Sequence, residues 1–263
     1  MKRAIYYLLM FLLVSWIAAS ATNFIYLLFT GCEVAKALGD EAQRTVPIDV
    51  KVGGMVVANI ILLVIFLWRR FCPVSRNYMR SRPLKVGLWC VVASLGTILP
   101  SIWLQEQLRF LPDLSQSMNG VFGSPLGYLA IVVLVPLCEE VVFRGAVIRS
   151  LLEWRNNRRM AVVISAVIFA VAHINPIQIP HAFLLGLLLG WVFVRTDSVI
   201  PGIVIHGMNN LVVFLMSWAI PGIDDMTLAD LYGGNTLRAA LSVLFSLMIL
   251  VPALYQLHLS MKR

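Results

Sequence analysis

The chain has 263 residues, of which 60% are hydrophobic and 13% charged, with a mean hydropathy of +0.86. A soluble domain carries about 25% charged residues, so the composition excludes an ordinary water-soluble globule and points to lipid as the solvent. The net charge of +8 does not point to nucleic acid, because the basic residues lie between apolar spans, where they act as topology signals and contacts to anionic lipid.

In chain order, Lys2-Arg3 precede an apolar run from Ala4 to Thr30. That run outlasts the roughly 7–15-residue core of a signal peptide and is expected to stay as a first membrane helix. After a mixed-charge loop to Lys51, a second span runs from about Gly53 to Trp68. A basic loop follows, and a third span covers about Val86 to Leu104. Gln105 to Pro125 is a polar connection. The fourth span begins near Leu126 and carries Glu139 and Glu140. Later spans are expected at Met160–Ile174, His181–Val194, Val199–Ile220 and Leu237–His258. The fifth and sixth are shorter than the ~20 residues that a full crossing needs.

The fold class is therefore an all-α membrane protein, a bundle of about eight transmembrane helices with a polar intramembrane cavity. Three regions are expected: an N-terminal one at 1–125, a core at 126–220, and an acidic outer loop with a last helix at 221–263. With the N-terminus in the cytosol, the inner side receives Lys2, Arg3, Arg69, Arg70, Arg76, Arg80, Arg82, Lys85, Arg149, Arg155, Arg158, Arg159, Arg195, Lys262 and Arg263. The outer side receives Lys36, Arg44, Lys51, Arg109 and Arg238. Asp40 and Glu41 fall among the outer acids. This asymmetry satisfies the positive-inside rule and predicts an integral, multi-pass protein of the cell inner membrane with both termini cytosolic.

Ionisable groups inside a span are costly and mark function by default. Glu139 lies about 15 Å from the cytosolic Arg149 by helical rise, His173 about 21 Å from Arg159, and His206 and Asn210 about 12 and 18 Å from Ser198. These depths fall in one layer near the middle of a ~30 Å core, so an acid, two imidazoles and a carboxamide from three helices can meet. Glu139 and Glu140 point about 100° apart on a helix. Glu140 and Arg144, at i and i+4, are read as a structural ion pair on one face, which leaves Glu139 to turn towards a histidine. Glu139 and His173 read as a pair that activates water, and His206 and Asn210 as donors to an oxyanion. Gly186 and Gly190 read as a close helix contact. His181 is placed at the outer boundary. The four cysteines, Cys32, Cys72, Cys90 and Cys138, lack metal or redox spacing and read as buried or interfacial thiols.

The ordered set Glu139-Glu140-x-x-x-Arg144, Phe169-x-x-x-His173 and His206-x-x-x-Asn210 resembles the CAAX prenyl protease 2 and bacteriocin-processing family, also called Abi. The likeness runs from about Leu126 to Leu215 and includes Ser198-Val199-Ile200-Pro201. It implies an intramembrane endopeptidase, a helical bundle and a conical cavity open to the cytosol. By that resemblance Glu139 and His173 activate water, His206 and Asn210 hold the oxyanion, and Glu140 and Arg144 brace the site. Cofactors are left open between none and zinc on Glu139, His173 and His206. The partners implied are a peptide or protein substrate, lipidated or carrying a leader, and membrane lipid. The alternative is a non-catalytic membrane scaffold or regulator, for which Glu139→Gln would keep the cellular phenotype. A transporter lacks paired broken helices in two matching halves.

Overall fold

A computed structural model describes residues 1–37, 39, 42, 45–72, 83–114, 119–122 and 124–261. Asp40, Glu41, Arg44, Arg76, Arg80, Arg82, Lys262 and Arg263 lie outside the described residues. Among those described there is no strand, and eight long helices form an all-α membrane bundle: α1 (Lys2–Phe29), α2 (Ile48–Trp68), α3 (Pro83–Gln107), α4 (Pro125–Arg155), α5 (Arg158–Ala172), α6 (Ile179–Thr196), α7 (Ile200–Ala219) and α8 (Thr236–Ser260). Seven are long and apolar enough to cross a membrane. The exception is α5, whose 15 residues span about 22 Å. It ends at Ala172, with His173 at its C-cap. α2 begins earlier than its apolar run, at Ile48, so Asp49 and Lys51 form its first turn.

Most helices present only a narrow buried face. On α8 the buried residues are Ala239, Ser246, Ala253 and Leu257, spaced as one helical stripe, and large side chains such as Phe245 and Met248 point outward. Small residues set the closest approaches. A Cβ on Gly96 of α3 would stand 2.8 Å from the Leu250 backbone nitrogen of α8. Gly186 and Gly190 of α6 lie against Ala166 and Val162 of α5, which bears out their reading as a packing stripe.

α4 is the exception to the narrow-face rule. Every residue from Glu140 to Ile148 is buried. Its apolar neighbours come from the start of α1 (Ala4), the end of α2 (Leu62, Phe66), α5 (Phe169) and α6 (Phe193). α6 also faces a second apolar cluster with Cys90 and Ala93 of α3 and Ala253 of α8. The site-bearing helix thus runs through the middle of the bundle.

α4 is not a uniform helix. It widens to i→i+5 hydrogen bonding over Leu129–Leu134 and again over Glu140–Ile148. Pro136 accounts for the first widening. It lacks an N–H, and its ring clashes with the carbonyl four residues back, that of Val132. In the wider register the carbonyl that Pro136 leaves without a backbone donor is that of Ile131. Asn210 of α7 supplies that oxygen with a donor, through Nδ2 at 2.9 Å. Bulges of this kind gather at functional sites.

Candidate active site

The site is built around Glu140. Its carboxylate has no exposure and sits 3.0 Å, Oε1 to Nη1, from Arg144, which is 1% exposed. The expected i, i+4 pair is present. It is an ion contact without hydrogen-bond alignment, since all three Arg144 nitrogens remain without an aligned partner. The guanidinium lies over the Phe169 ring, 4.2 Å from its centroid. Glu140 does more than pair with Arg144, because the same Oε1 accepts from Nδ1 of His206 on α7 at 3.3 Å. Gly202, one turn before His206, makes room for this carboxylate, and a Cβ there would stand 2.5 Å from Oε2. The first turn of α7, with its positive dipole end, lies beside the charge.

His206 is 3% exposed and stands between both acids. Its Nδ1 faces Glu140, and its Nε2 faces Glu139 Oε2 at 3.9 Å. That second gap exceeds a hydrogen bond. Glu139 keeps 14% of its side-chain surface, so it is the member of the acid pair that can meet a visitor. The expected partner of Glu139 was His173, yet the imidazole within 4.0 Å is that of His206. A depth argument ranks residues by layer and cannot tell which of two imidazoles in one layer faces a given acid.

His173 caps the end of α5, and its Nδ1 lies 2.9 Å from the Phe169 carbonyl. A carbonyl only accepts, so Nδ1 carries a hydrogen and Nε2 points away from this bond. Phe169 joins the two imidazoles, with its ring edge-on to His173 at 4.8 Å and to His206 at 5.9 Å. After His173 the chain turns sharply. Ile174 takes a positive φ of 54°, which is strained for a β-branched residue. Buried Asn175 ties the turn to the connection after α3, donating to Asp113 at 2.8 Å and accepting from the Leu114 N–H at 3.1 Å. Asn210 spends one N–H of Nδ2 on Ile131 and has a second to offer.

Sequence reasoning missed three participants. Phe169 appeared only as a motif letter, but its face and edges hold Arg144, His173 and His206. Pro136, a proline three residues before an intramembrane acid, was the available signal for the altered register. His181, read as interfacial, is partly buried in the first turn of α6 and interacts electrostatically with His173 and His206. Among the described residues no three His, Cys, Asp or Glu side chains converge closely enough to hold a metal ion.

Glu139 Oε2, Glu140 Oε2 and the three Arg144 nitrogens are buried without a hydrogen-bond partner. Buried polar atoms are nearly always satisfied by protein or ordered water, so this much orphaned polarity in one place marks a hydrated site.

Residues 122–212 match the family model of type II CAAX prenyl endopeptidases, Rce1-like. No curated protein and no solved structure matches the chain. The matched segment opens at the start of α4 and contains Glu139, Glu140, Arg144, His173, His206 and Asn210. The match supports intramembrane protease activity in general and a peptide or protein substrate. Over residues 122–212, then, this multi-pass membrane protein is similar to the Rce1-like CAAX-type endopeptidases, the group that its three motifs resemble.

Proposed function

We propose that the chain is an intramembrane endopeptidase in which Glu139 acts as general base on a water molecule. The observation that carries this reading is the set of orphaned buried polar atoms on Glu139, Glu140 and Arg144 beside His206. In this mechanism water donates one hydrogen to Glu139 and is oriented by His173 Nε2. Its oxygen attacks the scissile carbonyl carbon. His206, with Nδ1–H fixed on Glu140, presents Nε2. In its doubly protonated form His206 donates from Nε2 to the oxyanion. The second N–H of Asn210 joins it. As the C–N bond breaks, Glu139 passes its proton to the leaving amine. A positioned base contributes typically 10²–10⁴-fold and an oxyanion donor about 10²–10³-fold.

The substrate class that fits is a peptide or protein reaching the site within the bilayer, lipidated or bearing a leader segment. The excess of basic residues at one end of the bundle supports a cytosolic placement of that end in an inner membrane, with both termini there. The test compares peptides released in membranes holding the native chain with those holding Glu139→Ala. Products present only with the native chain support the reading, and identical product sets contradict it.

A further inference from the structure

We propose that a second site, at the basic end of the bundle, holds the phosphate headgroup of an anionic phospholipid. A cavity of about 650 Å³ opens there. Its walls bring together Arg3 from the start of α1, Arg70 from just past the end of α2, and Arg149 from the last part of α4. The size falls in the range of about 300–1,000 Å³ that suits a small-molecule ligand. It takes no part in the chemistry proposed above, since the part of α4 that lines it, from Ala146 to Glu153, excludes Glu139, Glu140 and Arg144.

The charges do not cancel. Arg3 is paired with Glu153 at 2.8 Å and Arg149 with Asp197 at 2.9 Å. Arg70 has no ion pair among the described residues, so the cavity keeps a positive charge. Arg70 is also held in place. It adopts φ 54°, a conformation usually left to glycine,. The turn that holds it is closed by the Phe71 N–H on the Phe66 carbonyl at 2.9 Å. This left-handed helix end sets the exposed Arg70 at the cavity wall,.

The other wall is aromatic. Tyr7 and Phe71 pack with their rings tilted by 50° and centroids 4.9 Å apart, and both line the cavity. A cationic wall beside an aromatic one matches a headgroup and the root of its acyl chains. The depth agrees. Three helix ends meet at this level, and Trp68 and Trp154 are exposed there at 80% and 42%, as aromatic residues are where tails give way to headgroups. Basic pockets between transmembrane helices bind anionic headgroups.

The shared chemistry is a phosphoryl anion, and the two sources are a lipid and free phosphate. The test is native mass spectrometry of the full chain in neutral detergent with phosphatidylglycerol, phosphatidylcholine or inorganic phosphate. Retention of phosphatidylglycerol in preference to phosphatidylcholine, unaffected by inorganic phosphate, is expected. Arg70→Gln should weaken retention about fivefold, the factor for one cation near an anionic surface, and Arg70→Lys should restore most of it. Arg159→Gln, exposed at the same end but outside the cavity, should change nothing. If Arg70→Gln does not fold, Arg70→Gly suits the left-handed backbone and replaces it. Equal retention of both lipids, displacement by inorganic phosphate, or an equal loss in Arg159→Gln would each overturn the assignment.

Discussion

Two arginine–glutamate contacts of nearly equal length sit in different parts of this protein. Arg144–Glu140 measures 3.0 Å with side chains 1% and 0% exposed, and Arg3–Glu153 measures 2.8 Å with side chains 73% and 63% exposed. Distance alone would rank the exposed pair first, but environment reverses the order. In water each charge is already solvated, and a surface pair contributes about 0–1 kcal/mol. Inside the bundle each charge depends on its partner, and removing one costs about 3–5 kcal/mol because the other is stranded. The buried pair also orients His206, while the exposed pair borders a cavity.

The largest effect expected is therefore that of Arg144→Ala, which should lower stability by about 3–5 kcal/mol, read as a lower melting temperature in detergent. A shift no larger than that of Arg3→Ala would break the comparison. Replacing both partners, Glu140→Gln with Arg144→Met, should recover much of the stability while cleavage stays lost, because His206 no longer has a carboxylate at Nδ1. Recovered cleavage in that double variant would show that the pair serves packing alone.

A smaller effect is expected from Gly202→Ala, whose methyl group would press on Glu140 Oε2 at 2.5 Å. The carboxylate is the end of a flexible chain, but Arg144 and His206 pin it. Overpacking should cost about 1–3 kcal/mol, with activity falling as Glu140 leaves His206. Unchanged melting and unchanged cleavage would mean that this carboxylate has slack. Arg3→Ala comes next, at about 0–1 kcal/mol, and that small loss should vanish in high salt. A loss that persists in high salt would place the pair in a drier setting than its exposure indicates.

The smallest effect concerns the exposed connection between α7 and α8. Hydrogen bonds from the Thr227 hydroxyl and N–H, both 2.7 Å to Asp230 Oδ2, hold the Asp230 carboxyl below its ordinary value, with Arg109 adding to the effect. A depressed acid stabilises the fold above its unfolded value and loses that contribution as pH falls through its folded value. Hydrogen exchange over 221–235 should therefore rise on acidification, and Thr227→Ala should flatten that dependence. A pH profile identical in both chains would remove Asp230 as its cause.

Much of this molecule was legible beforehand. The apolar runs located the helices because bilayer thickness constrains length and composition strongly. Glu139, Glu140, Arg144, His173, His206 and Asn210 stood out because charge and amide inside lipid need a reason. The pairings were less legible. Rise per residue gives depth, but the partner an acid meets depends on how each helix is rotated and on local register. Glu140 reaching His206 needed the placement of α7, and Asn210 reaching Ile131 needed the widened turn before Pro136. The brevity of α5 was visible in its count of residues. The clamp of Asn175 on Asp113, by contrast, joins segments far apart in the chain, and no local pattern announces it.

The most direct test of the central claim is the rate of peptide cleavage by Glu139→Gln in proteoliposomes, measured beside the native chain with the melting temperature of each. A rate lower by about 10²–10⁴-fold at an unchanged melting temperature is the result predicted. A native rate from an equally stable Glu139→Gln chain would contradict the account of Glu139 as the base.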